Sequence, residues 1–205
     1  MTNALNTITP REKLLTILAK QSFRLGDFQL SSGGRSDYYI DCRTTTLDAE
    51  GGRLTGLAIL DLLEKHHLHP HAVGGLTMGA DPIVSAVSIA SAQRRHETGA
   101  GRLVQGFLVR KAEKAHGTGR RIEGFSEESA PVLIVDDVCT TGASTITAIE
   151  AAHAAGMRVV AVVCLVERTE AKGRPAVEAA ANGAPFLALF TADDVRAEHV
   201  KSLPL

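Results

Sequence analysis

The chain has 205 residues, 44% of them hydrophobic and 22% charged, and a formal net charge of −1 at pH 7. That length fits one domain with a full core and a small appendage, and the near-neutral balance excludes a general polyanion-binding surface, so any positive site is local. No run of about eighteen apolar residues is present, which excludes a membrane-spanning helix, and the unspaced thiols Cys42, Cys139 and Cys164, with no signal-peptide pattern over residues 1–6, point to reduced cysteines in the cytoplasm.

Thr9-Pro10-Arg11-Glu12 predicts a helix start, with Thr9 as cap, Pro10 in the first turn and Glu12 closing a capping box. Leu14, Leu15, Ile17 and Leu18 then supply an apolar stripe. Residues 28–30 and 38–40 look like two strands, with a turn over 31–36. This N-terminal piece, about residues 1–45, is expected to form a hood over a larger core. Asp48 caps a helix running to about residue 66. His66, His67, His69 and His71 follow; without an acid or Cys companion they predict an exposed connection rather than a metal site. Residues 72–75 read as a short strand, 81–95 as a helix and 102–109 as a strand.

Residues 110–121 are basic and glycine-rich and lead into a polar stretch over 123–129. Such a segment buries little surface and is expected to be a mobile flap. Residues 132–135 are a buried strand ending at two acids, 145–155 a helix closed by Gly156, and 158–166 a second buried strand. A helix over 175–181 ends at Asn182-Gly183, a strand covers 186–190, and Thr191 caps a last helix with Asp194 three residues on. Strands alternating with helices predict an α/β fold, a doubly wound and mostly parallel sheet in a single domain over 1–205, with ligands at the carboxyl ends of the strands.

The decisive run is Asp136-Asp137-Val138-Cys139-Thr140-Thr141-Gly142-Ala143-Ser144. Main-chain N–H groups of a short loop and a helix N-terminus make an anion site. Two acids beside a phosphate pocket repel it unless they serve another group. Ribose hydroxyls donate hydrogen bonds and carboxylates accept them well, so the local chemistry asks for a ribose 5-phosphate. Cys139 is expected to be a small packed residue rather than a reactive thiol.

This run resembles the phosphoribosyl-pyrophosphate signature of the type I phosphoribosyltransferases; no Gly-Lys-Ser/Thr follows, so a Walker loop is a poor competitor. The flap resembles the catalytic loop of the orotate phosphoribosyltransferases, with matches at Arg110, Lys111, Lys114, His116 and Gly117. Residues 28–33 and 36–41, including Tyr39 and Ile40, are similar to that family's hood over the orotate ring. Residues 74–82, with Thr77 and Met78, resemble its diphosphate loop, and Arg168 matches the arginine that binds the orotate carboxylate. Some bacterial relatives carry Lys where this chain has Ser31 and Met78; main-chain N–H groups of residues 77–79 are the available substitutes.

The resemblance spans about residues 10–195. It implies transfer of a phosphoribosyl group from phosphoribosyl pyrophosphate to orotate, giving orotidine 5′-monophosphate and diphosphate. Mg²⁺ is implied as cofactor, held through substrate and water near Asp136 and Asp137 with no direct protein ligand. A homodimer with loop 110–121 shared across subunits is also implied, with Lys111 dominant in turnover. Two rivals remain: an enzyme for another base, and a phosphoribosyl-pyrophosphate-binding transcriptional regulator. Arg168 and the hood favour an acidic pyrimidine. The sequence carries no helix-turn-helix signature and no basic face beyond the flap, which speaks against a nucleic-acid partner.

Overall fold

The computed structural model describes residues 8–29, 34–112 and 121–203. Helix α1 (Pro10–Gln21) begins as its sequence dictates: the Thr9 side chain accepts from the Glu12 N–H, and the Glu12 carboxylate accepts from the Thr9 N–H. A hairpin of β1 (Phe23–Gln29) and β2 (Arg35–Ile40) forms its own two-stranded antiparallel sheet. Both strands are longer than their apolar residues suggest. β1 starts at Phe23, whose ring is buried and stacks on Tyr38 of β2 at 5.3 Å between centroids, and that contact lies outside any local pattern. A four-residue helix, α2 (Arg43–Thr46), follows without a sequence signal.

Helix α3 (Ala49–Lys65) is capped by Asp48, which accepts from the N–H groups of Glu50 and Gly51. The histidine-rich connection after it is exposed at His66, His67, His69 and His71. Then come β3 (Ala72–Leu76), α4 (Asp81–Thr98), β4 (Gln105–Val109), β5 (Ile122–Gly124), β6 (Pro131–Cys139), α5 (Ala143–Ala154), β7 (Arg158–Glu167), α6 (Arg174–Ala180), β8 (Phe186–Thr191) and α7 (Ala192–Lys201). None of the helices among the described residues is long and apolar enough to cross a membrane.

Six strands form the central sheet in the order β5-β4-β3-β6-β7-β8, all parallel except β5. Both faces are covered, and β6 shows how. Leu133 and Val135 join the core beneath α1, α3 and α4; Val132 and Ile134 join the core beneath α5 and α6. A strand buried on both faces is apolar at every position, which is why residues 132–135 carry no alternation.

Two expectations need correction. The strand does not stop before the acids: β6 runs on through Asp136 and Asp137 to Cys139, because the ten-residue β7 pairs with it as far as Cys139 opposite Glu167. Nor is the whole segment after residue 110 a flap. Residues 122–124 pair antiparallel with β4, Val109 opposite Ile122 and Phe107 opposite Gly124. The Arg110 N–H donates to the Arg121 carbonyl at 2.8 Å and closes that ladder. The ladder covers the outer edge of β4, and Ile122 and Phe125 pack on the second core. Residues 113–120, with Lys114, His116 and Gly117, lie outside the described residues, as does Ser31.

Candidate active site

The loop between β6 and α5 is shaped by two glycines. Gly142 caps α5 at φ +80°, in the left-handed region, and a Cβ there would lie 2.4 Å from Val177 Cγ2. Gly173, at the start of α6, lies so close beneath the loop that a Cβ would sit 2.2 Å from the Thr140 carbonyl oxygen. No side chain caps α5, so none competes for the donors of its first turn. Thr141, Ala143 and Ser144 are exposed, Thr140 is half-buried, and Gly142 is buried. Cys139 is buried under the loop, and burial pushes its thiol up to about 11, consistent with a packed residue.

The two acids differ because consecutive strand residues face opposite sides of the sheet. Asp136 is 6% exposed and accepts from Thr145 Oγ1 at 2.5 Å and from the Asp137 N–H at 3.0 Å. Burial raises its pKa to about 7; the Thr145 hydroxyl pulls the other way and the Asp137 charge adds to the rise. Asp137 is half-buried and rests on Gly79, where a Cβ would lie 2.5 Å from Asp137 Oδ1.

A pH dependence follows for the ligand-free protein. Below pH 4 Asp136 is protonated in both the folded and unfolded states and has no effect on the slope. As pH rises above about 4, the unfolded carboxyl ionises while the folded one, held up by burial, stays protonated, so stability falls with rising pH until the folded carboxyl also ionises. Asp136→Asn removes this contribution. Thermal midpoints from pH 5 to 8 should therefore fall less steeply in Asp136→Asn than in the parent. Parallel profiles would show that Asp136 ionises normally in the fold.

Beside the acids opens a cleft of about 360 Å³ at the carboxyl ends of β3, β4, β6 and β7. Its lining includes Asp136, Asp137, Val138, Thr140 and Ser144, Thr77 and Met78 after β3, Tyr39 and Ile40 from the hairpin, and Lys111 and Arg168. Cys139, Thr141, Gly142 and Ala143 are not part of this lining, and neither is Arg110, whose guanidinium pairs with Glu123 Oε1 at 3.3 Å. Arg43 lines the cleft although the sequence carries no signal for it, and Leu76, within the 74–82 segment, lines it as well. Arg43 forms a bidentate pair with Asp41, two contacts of 2.8 Å, which holds the Asp41 carboxyl below the usual range. A lone Arg after a strand carries no local signal; its place is set by α2.

Arg168 follows β7, and its side chain is 12% exposed. Its Nε donates to Tyr38 Oη at 2.9 Å and Glu170 Oε1 at 3.0 Å, its Nη2 donates to Ser36 Oγ at 3.2 Å, and its guanidinium lies 4.6 Å from the centroid of the Tyr38 ring.

An uncapped helix N-terminus after a central parallel strand, with an acid pair beside it and Lys111 and Arg168 lining the same cleft, is the arrangement of a phosphoribosyltransferase. The family model for the phosphoribosyl transferase domain matches residues 81–180. The chain is similar to the orotate phosphoribosyltransferase of Streptomyces coelicolor, 41% identical over 185 residues, which is 90% of this chain and 96% of that protein. The Aquifex aeolicus orotate phosphoribosyltransferase is 38% identical over 88% of this chain and 94% of its own length. Among solved structures, the Mycobacterium tuberculosis orotate phosphoribosyltransferase in complex with 5-phospho-α-D-ribosyl 1-diphosphate superposes with a TM-score of 0.73 at 31% identity, covering 91% of this chain and 98% of that one. This chain belongs to the orotate phosphoribosyltransferase family.

Proposed function

We propose that this enzyme transfers the 5-phosphoribosyl group from phosphoribosyl pyrophosphate to orotate, giving orotidine 5′-monophosphate and diphosphate, in the synthesis of pyrimidine nucleotides. The observation that carries the reading is the single cleft that brings Asp136, Asp137, Thr140 and Ser144 together with Lys111 and Arg168.

The N1–C1′ bond forms as the bond from C1′ to the diphosphate oxygen breaks, and the diphosphate leaves with the bonding pair. Positive charge develops on the sugar, as in other glycosyl substitutions. The protein's work is to place both reactants and to stabilise the leaving anion. Main-chain N–H groups from Thr140 to Ser144 receive the 5′-phosphate. Asp137, the more exposed acid, accepts from a ribose hydroxyl, and Asp136 supports it from the buried side. Lys111 faces the departing diphosphate; Arg110, Lys114 and His116 are assigned the same role by resemblance. The Thr140 backbone and Arg168 orient orotate, a planar carboxylate suiting a guanidinium fork.

The donor chemistry fits Mg²⁺: hard carboxylate oxygens of Asp136 and Asp137 line the cleft, and these two residues would hold the water around an ion carried by the substrate phosphates. When bound, Mg²⁺ supplies neutralisation of diphosphate charge.

A cytoplasmic location accords with three free, buried thiols. The enzyme acts as a homodimer that shares the 110–121 loop: Lys111 serves the cleft of its own chain, while Lys114 and His116 are assigned by resemblance to the neighbouring site. Mixing Lys114→Ala with Asp137→Asn subunits should then restore part of the activity, through hybrid sites with both residues intact. Verified heterodimers that stay inactive would rule out sharing. The activity itself is checked by absorbance: orotate is consumed with phosphoribosyl pyrophosphate and Mg²⁺, while uracil and adenine are poor acceptors. Preference for adenine would overturn the assignment.

A further inference from the structure

Arg168 stands between two spaces. One is the cleft just described. The other is a recess of about 570 Å³ lined by Ser36, Tyr38, Glu170 and Arg196, among others. Every side-chain partner of Arg168 comes from the recess side: Ser36, Tyr38 and Glu170 line the recess and not the cleft. The Tyr38 hydroxyl donates to Glu170 Oε1 while its oxygen accepts from Arg168 Nε. Behind it, the Tyr38 ring is stacked on buried Phe23. Nη1 of Arg168 has no hydrogen bond among the described residues, and Nη2 has given one of its two protons, to Ser36.

We infer that Tyr38 and Glu170 are positioning residues that grip Arg168 by its Nε edge and its ring-stacked face, and so present its Nη1–Nη2 end, preset, to the acceptor's carboxylate. This rests on the reading of Arg168 as the carboxylate-binding group. An arginine has four rotatable side-chain bonds, and ordering such a side chain costs conformational entropy when a ligand must do it. Here the fold has done it already. The clamp also ties together chain segments more than a hundred residues apart, since Tyr38 lies in the hairpin and Glu170 just after β7. Tyr38 stays a donor throughout the working range, because burial first and Glu170 second push its pKa to about 12. Glu170 remains ionised: against desolvation, bonds from Tyr38 and Arg168 hold its carboxyl below the usual value.

The test compares two nucleotides that differ only in the carboxylate. Dissociation constants of orotidine 5′-monophosphate and uridine 5′-monophosphate are measured by calorimetry for the wild type, Glu170→Ala, Tyr38→Phe and Arg168→Ala. Glu170 is 52% exposed at its side chain, so its removal leaves the core intact. Arg168→Ala should abolish the preference for orotidine 5′-monophosphate. Glu170→Ala and Tyr38→Phe should each reduce it about tenfold, entirely through weaker binding of that nucleotide, the scale of one well-placed charged contact. A clamp that serves only to hold the hairpin would weaken both nucleotides equally and leave the ratio unchanged. An unchanged ratio in either variant, with Arg168→Ala losing its preference, overturns the inference alone. An unchanged ratio in Arg168→Ala overturns the reading of Arg168 beneath it.

Discussion

Replacing Lys111 by alanine is expected to lower turnover about a hundredfold, the scale of removing one preorganised donor from a site where negative charge develops. Lys111 lies two residues beyond β4, and the strand end is pinned there by the Arg110–Arg121 backbone bond and the β4–β5 ladder. The ammonium therefore enters the cleft from a fixed base. Its charge is needed most when the C1′–oxygen bond breaks and the diphosphate gains charge, so the loss should fall on kcat, with a smaller change in KM for orotate. Lys111 is exposed, so the thermal midpoint should be unchanged. Steady-state kinetics decide the matter: turnover within twofold of the parent would remove this lysine from the mechanism.

Gly173→Ala is expected to have an effect of similar size from outside the cleft. A Cβ at this position would lie 2.2 Å from the Thr140 carbonyl oxygen, 2.7 Å from the Thr141 carbonyl carbon and 3.0 Å from the Gly142 nitrogen. All three are backbone atoms of the anion loop, so no side chain can swing aside to make room. The loop must shift on the order of 1 Å, and a displacement of that size at reacting groups costs about a hundredfold. Since the loop holds the 5′-phosphate, kcat/KM for phosphoribosyl pyrophosphate should fall on that scale. A parent-like kcat/KM for the sugar donor would show that the loop does not grip its phosphate.

Much of this molecule could be read along the chain. Helix starts at Thr9, Asp48 and Thr191 carry their own capping side chains, and the structure makes each of those bonds. The strand–loop–helix anion motif is likewise a contiguous stretch. Legibility ended where a partner lay far away. Residues 122–124 read as part of a polar flap because their partner, β4, lies more than ten residues back along the chain. β6 looked shorter than it is because the residues that extend it belong to β7. Arg43 carries no sequence signal, because what brings it to the cleft is the turn of α2, not any pattern around it.

From its order of residues alone this chain specified alternating strands and helices, an anion-binding loop with two acids ahead of it, and an arginine just past a buried strand. Those features are local, set by backbone donors, side-chain caps and apolar runs within a few turns of one another. Packing alone decided that Asp136 is buried and Asp137 half-buried, that Gly173 underlies the phosphate loop, and that Tyr38 and Glu170 meet around Arg168. Burial and cross-chain contact depend on which surfaces the sheet brings face to face, and that is a property of the assembled core rather than of any segment in it.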